Sequence, residues 1–244
     1  MIQLSLILVA AAGFIVLERV RPGRHLPSPP GWYARAALLN GIQLAIVVVA
    51  GFTWNHWFTG WSLFHLAGHL PGPAEGAVAW FIGTFVFYWW HRLRHASDFA
   101  WRALHQVHHS PARIEAITSF YKHPLEIVAN SIISSALVFG LLGGSLAAAA
   151  WFNVFAAIGE MCYHSNVRTP IWFGYFLQRP EHHSIHHEYG VHNFNFGDIT
   201  WWDRLFGTFR EAEGFTAACG FEAGAESDLA RMLIFKEPRT SRAA

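Results

Sequence analysis

The apolar positions of this chain fall in long blocks rather than in the short stripes of a water-soluble domain. Residues 2–17 (IQLSLILVAAAGFIVL) carry no charge, and with flanking residues they approach the roughly 20 that a helix needs to cross a bilayer. The block lacks a basic leader, which predicts a retained helix rather than a cleaved signal. After the Pro-rich stretch RPGRHLPSPPGW, residues 36–54 predict a second span and residues 76–90 (GAVAWFIGTFVFYWW) a third. From 125 to 163 the chain is again almost uncharged, and GLLGGS in its middle predicts the turn of a helical hairpin, giving two further passes or one re-entrant pair. The expectation is an all-α integral membrane protein with about four to five transmembrane helices, the last two forming a hairpin.

Composition agrees with that picture. The chain is 53% hydrophobic and 14% charged, with 12 Trp and 21 Phe, as expected where lipid is part of the solvent. Its net charge of +1 and the lack of a basic run argue against a nucleic-acid partner. Cys162 and Cys219 stand far apart, so neither a disulfide framework nor a thiolate zinc site is expected. All 17 Lys and Arg lie outside residues 36–91 and 123–167. By the positive-inside rule the N-terminus then faces out, the loop from Arg19 to Arg35 faces in, and the chain returns to the cytoplasm at His91 and again at His164.

Histidine is where chemistry concentrates, and every dense cluster falls on that inner side. HRLRH places His91 and His95 four apart, one turn on one helix face; the pair can grip one metal or bracket two. HQVHH (His105, His108, His109) and HSIHH (His183, His186, His187) both place rings at i, i+3 and i+4, and His164 ends the hairpin. At about four or five nitrogens per ion, these nine rings match a dinuclear site and exceed what one ion uses. Packing so many imidazoles at one membrane face without a cation invites mutual repulsion. A bis-histidine haem would leave the HxxHH triplets unexplained. A zinc hydrolase normally keeps three ligands, an open position and a glutamate base, and HExxH is absent. Few carboxylates beside many neutral nitrogens suit two irons that activate dioxygen. His25, His56, His65 and His69 read as interfacial rings without chemistry.

The motifs HxxxH, HxxHH and a late HxxHH followed by NFG and WWDRLFGTF, together with SFYKHPLE (119–126) and HSNVRTP (164–170), resemble the fatty acid hydroxylase and sterol desaturase superfamily of membrane di-iron oxygenases. The resemblance runs from about His91 to Phe209. It implies a stem of spans under a cytoplasmic, histidine-rich helical cap that holds the dinuclear site, with His91, His95, His105, His108, His109, His164, His183, His186 and His187 as ligands. His182 stands where the family commonly has an apolar or aromatic residue and is left out. The chain, 1–244, is read as one such domain with its catalytic histidine region at 91–209 and a polar tail at 211–244.

Further candidates surround the ligands. His123 is either a tenth ligand or support, or simply a helix cap; His192 and Asn195 are placed to support a metal or bound water; Glu160, four before His164, is expected to orient an imidazole through its N–H. In WWDRLFGTFR, Asp203 and Arg204 are expected to pair or cap at the surface. The resemblance implies a hydroxylase (monooxygenase) or desaturase acting on an unactivated C–H bond of a fatty acyl chain, sterol or ether lipid, with two iron ions, replaceable by zinc on purification, and dioxygen as co-substrate. No fused electron-carrier region is evident, which implies a separate reductase with a ferredoxin or cytochrome-type carrier. The competing classes are a membrane zinc-dependent hydrolase and a histidine-rich metal-binding or transport protein; transport would need polar residues through the stem, where they are few and scattered.

Overall fold

In lipid every backbone amide must be satisfied within its own segment, so uninterrupted apolar blocks become helices. The computed structural model describes residues 2–222 and 224–239. Its helices are α1 (Ile2–Val20), α2 (Trp32–Phe52), α3 (Trp54–Trp57), α4 (Gly72–Ala96), α5 (Asp98–Ala100), α6 (Gln106–His109), α7 (Pro124–Ser135), α8 (Leu146–His164), α9 (Pro180–His186), α10 (Thr200–Leu205) and α11 (Leu229–Met232). A π-helical turn, Trp101–His105, leads into α6, and another, Ala136–Leu141, prolongs α7. The described residues form no β-strand.

Among the described residues, four helical stretches are long and apolar enough to cross a membrane: Ile2–Val20, Trp32–Trp57 (α2 with α3), Pro124–Leu141 and Leu146–His164. The last two form the expected hairpin, whose turn needs Gly143 at φ 60°; a Cβ there would lie 2.2 Å from the Phe64 carbonyl oxygen. The third expected span lies in α4, which is not among the four; it carries Glu75, Arg92 and Arg94 and holds three Gly and three Trp. It nevertheless runs along α8. A Cβ on Gly76 would lie 2.4 Å from that of Trp151, one on Gly83 2.7 Å from the Phe152 ring, and Trp80 meets Phe155 at 6.2 Å. Small residues allow this close approach, the usual way helices associate in lipid.

Exposure follows lipid logic. Leu4, Leu8, Val16, Leu38, Leu44 and Val48 are exposed on α1 and α2, whereas the buried residue of α1 is Glu18. Its carboxylate accepts the N–H groups of Ala116 and Asn166, pinning α1 to the inner segments. One apolar cluster (Ala79, Leu137, Phe139, Ala148, Phe152) fills the space between α4, α8 and the π-turn. A second joins Trp32 and Leu39 of α2 to Val107, Tyr121, Leu229 and Met232. The segment beyond 210 thus supplies buried residues, including Ala212 and Cys219. Residues 240–244 of the expected tail lie outside the described residues.

Candidate metal centre

The nine expected histidines gather where α4 and α8 end, the π-turn, α6 and the end of α9 supplying the other rings. His91, His95, His105, His109 and His186 form one group, and His108, His164, His183 and His187 a second; within each, one nitrogen from every ring lies within 4.8 Å of the others. The groups adjoin, with the rings of His109 and His187 stacked at 4.2 Å.

Helix geometry explains the division. Residues four apart differ by about 40° around an α-helix and residues three apart by about 60° in the other sense. The i, i+4 pairs His91/His95, His105/His109 and His183/His187 each stay within one group, whereas the i+3 members His108 and His186 turn into the other. Each HxxHH motif therefore reaches both groups, and HxxxH serves one. The π-turn ending at His105 is the kind of helix irregularity often found at functional sites.

Hydrogen bonds fix the rings from behind. His91 Nδ1 donates to the Phe196 carbonyl at 2.8 Å, His186 Nδ1 to Phe194 at 2.8 Å, His164 Nδ1 to Glu160 at 2.8 Å and His108 Nδ1 to Tyr121 at 3.3 Å. His105 Nδ1 lies 3.1 Å from Glu126 Oε1, which also pairs with Arg94. A proton held on Nδ1 leaves Nε2 as a bare lone pair aimed inward. Those Nε2 atoms converge: His91 to His105 is 2.9 Å, His108 to His164 3.1 Å, His164 to His183 3.0 Å and His183 to His187 3.1 Å. Facing lone pairs at such distances repel unless a cation lies among them. The buried His186 Nε2 and both nitrogens of His109 also lack any hydrogen-bond partner. The donor set thus fits a metal in each group. Burial, reinforced by neighbouring rings, pushes the imidazoles of His105, His108, His109, His183 and His187 well below their usual value and His186 down to about 3. Neutral imidazole is the form that ligates.

The other candidates take supporting places. His123 caps α7: its Nδ1 accepts the Leu125 N–H at 3.1 Å and its Nε2 faces the Leu233 carbonyl at 3.3 Å. His182 reaches Glu211 at 2.7 Å, away from both groups. His192, at φ 45°, lies outside the groups with its ring 4.9 Å from that of His109. Asn195 at φ 56° ties the carbonyls of His182 and Arg210 together through its amide, holding the loop that presents Phe194 and Phe196. The Glu160 carboxylate does not reach a ring: it pairs with Lys122 at 2.5 Å, and it is the Glu160 backbone carbonyl, one turn back on α8, that accepts from His164 Nδ1. Asp203 does not pair with Arg204 at the surface: it is fully buried and accepts from the N–H groups of Phe196 and Gly197 and from the Thr208 hydroxyl. Arg204 lies over the Phe209 ring at 3.7 Å instead.

The Arg94–Glu126 pair behind His105 and the Asp203 clamp behind His91 escaped the sequence reading. A charge inside an otherwise apolar helix was the available signal, since it asks for a partner. A cavity of about 220 Å³, lined by Arg92, His95, Ala96, Asn193, Phe196 and Thr208, opens beside the first group.

Residues 76–208 match the family model for fatty acid hydroxylase. Among curated proteins, the chain is similar to the alkylglycerol monooxygenase of Homo sapiens, at 31% identity over 158 residues, covering 63% of this chain and 34% of that protein. It is similar to a C-4 methylsterol oxidase of Schizosaccharomyces pombe, at 28% over 177 residues, covering 64% of this chain and 56% of the relative. It is also similar to a sphingolipid C4-hydroxylase of Schizosaccharomyces pombe, at 25% over 142 residues, covering 54% and 48%. The match thus spans between 34% and 56% of the length of these relatives. No solved structure matches the chain significantly.

Proposed function

The chain belongs to the fatty acid hydroxylase family, and on that premise we propose that it is a membrane monooxygenase that uses dioxygen to hydroxylate an unactivated C–H bond of a lipid. The observation that carries this reading is the convergence of nine neutral imidazoles, eight buried and His95 half-buried, into adjoining groups of five and four. His91, His95, His105, His109 and His186 would hold one iron and His108, His164, His183 and His187 the other. Such ions supply the redox chemistry that activates dioxygen. A hydrolytic zinc site, with three ligands and an open position, would leave most of these rings unused.

The chain's own residues supply position and environment. The carbonyls of Phe194, Phe196, Glu160 and Tyr121 hold the Nδ1 protons and keep each Nε2 turned inward. Asp203 and Asn195 hold the loop carrying two of those carbonyls. Burial excludes the water that would otherwise compete. Apolar spans below the centre allow a fatty acyl, sterol or ether lipid to approach from the bilayer. Hydroxylation is preferred to desaturation by analogy with the names of the relatives, which include a monooxygenase and a hydroxylase. The electrons come from a separate reductase and its carrier. The distribution of Lys and Arg supports an outward N-terminus and a cytoplasmic centre.

Metal content of detergent-purified protein expressed with iron tests the centre: about two ions per chain are expected, falling sharply in a His186→Ala/His187→Ala double variant. A value of one or none in folded protein overturns the dinuclear reading. Lipid extracts from cells with and without the protein, under air and nitrogen, test the reaction. An air-dependent product heavier by one oxygen atom is expected, and one that gains no oxygen sinks the hydroxylase reading.

A further inference from the structure

The segment after the second HxxHH motif does not stay level with the metal centre. Phe206 meets Trp89 at 4.8 Å and Trp202 meets Phe85 at 5.0 Å and Phe81 at 5.9 Å. Trp202 Nε1 donates to Thr84 Oγ1 at 2.9 Å. At 1.5 Å per residue along α4, these contacts lie from about 3 to about 15 Å from His91 toward the other end of the helix. That stretch of α4 runs beside α8, where Trp80 meets Phe155 in the middle of a candidate span. The hydrocarbon core is about 30 Å thick, so such depths cover much of one leaflet.

The outer surface at that level is apolar. Ile171, Trp172 and Tyr175 on the short helical turn Ile171–Tyr175, Phe176 just after it, and Trp201 and Leu205 on α10 are 45–68% exposed. They continue a stripe on α4 (Phe81, Phe85, Trp89, Leu93) that is also exposed. Several of the polar groups meanwhile are satisfied internally, as hydrocarbon favours. Trp201 Nε1 donates to the Tyr175 carbonyl at 2.8 Å, Thr200 Oγ1 to Gly174 at 3.0 Å, and the Gln178 N–H to Asp198 at 2.9 Å. The Asp203 carboxylate has its three donors, and the Arg204 guanidinium turns over Phe209 toward Glu211 at 3.8 Å.

We infer that Ile171–Tyr175 and Thr200–Leu205 form an aromatic wedge immersed in the leaflet on the metal-centre side, with lipid chains as the partner of its exposed face. The wedge fixes the loop that orients His91 and His186 against the bilayer itself. The inference rests on α8 crossing the membrane and extends the proposed function by placing the centre's supporting loop at the lipid boundary.

Nitroxide labels on Trp172→Cys and Leu205→Cys, in lipid vesicles, test it, with wild-type labelling at Cys162 and Cys219 subtracted. Leu44→Cys on α2 is the lipid reference, and Glu213→Cys, which is exposed, the aqueous one. The ratio of collisions with dissolved oxygen to collisions with a neutral nickel chelate is expected to be severalfold higher at 172 and 205 than at 213, and close to that at 44. A ratio matching 213 while 44 reads lipid overturns the wedge alone. Shielding from both reagents overturns it in favour of a protein partner. An aqueous reading at 44 overturns the spans and the wedge together. Ile171→Cys or Phe176→Cys replaces a variant that fails to fold.

Discussion

At the scale of single residues, the centre is governed by which way each imidazole turns. Because i+3 members cross between groups, His109→Ala and His108→Ala are expected to differ in the site they weaken, each variant retaining about one ion per chain, while a variant lacking both rings loses more than either. His182→Ala, which removes contacts with Glu211 and the Phe209 ring but none with either histidine group, is expected to retain both ions. Metal analysis of the four purified variants checks this; equal, complete loss in either single variant contradicts the division. Behind His105, Glu126 neutralises Arg94 in a buried pair. Glu126→Gln leaves that guanidinium uncompensated, a change that costs roughly 3–5 kcal/mol at comparable sites. A fall in the thermal midpoint together with loss of metal is expected, and pairing it with Arg94→Met recovers much of the midpoint.

At the scale of elements, the α4–α8 contact sets the floor of the centre, since His91 and His95 extend from one helix and His164 ends the other. The contact depends on glycine: a Cβ at Gly76 would lie 2.4 Å from Trp151 Cβ and 3.0 Å from the Ala148 carbonyl oxygen, with little room to yield. Gly76→Val is expected to destabilise by about 1–3 kcal/mol, as overpacking does. Gly41→Ala, on the open face of α2 with nothing within 4 Å of the added methyl, is expected to be neutral or slightly stabilising. Thermal unfolding of the two in one detergent compares them directly.

At the scale of the whole molecule, burying so many imidazoles makes stability depend on acid. The folded-state value of His186, about 3, lies below the 6.5 of an ordinary imidazole, and those of His105, His108, His109, His183 and His187 are also lowered. Below 6.5 the unfolded chain therefore takes up more protons than the folded one. The stability these rings contribute is complete above that value and is lost as pH falls toward 3. Metal release and loss of helix signal on acidification from pH 7 are expected, with the metal-stripped protein failing at higher pH than the loaded one. Helix content and bound metal followed through a pH titration check both; an acid midpoint that ignores metal contradicts the linkage.

The sequence by itself determined the helical membrane class, because apolar blocks and their charge-free stretches are properties of composition along a line. It also singled out the nine histidines, because motif spacing sets eight of them on helix faces and the charge pattern puts all nine on one side of the membrane. What it did not determine was the partition of each HxxHH between two groups, which depends on how α6 and α9 face each other. Nor did it reveal Glu126 against Arg94, 32 residues apart, or the burial of Asp203 beneath Phe196 and Gly197. Glu160 shows the same limit at one residue: its position four before His164 was legible, but only packing decided that its carbonyl takes the ring proton and Lys122 its carboxylate. Spacing along a helix is local geometry and can be read from the chain; the pairing of buried polar groups is settled by which distant segments meet, and only the tertiary structure decided that.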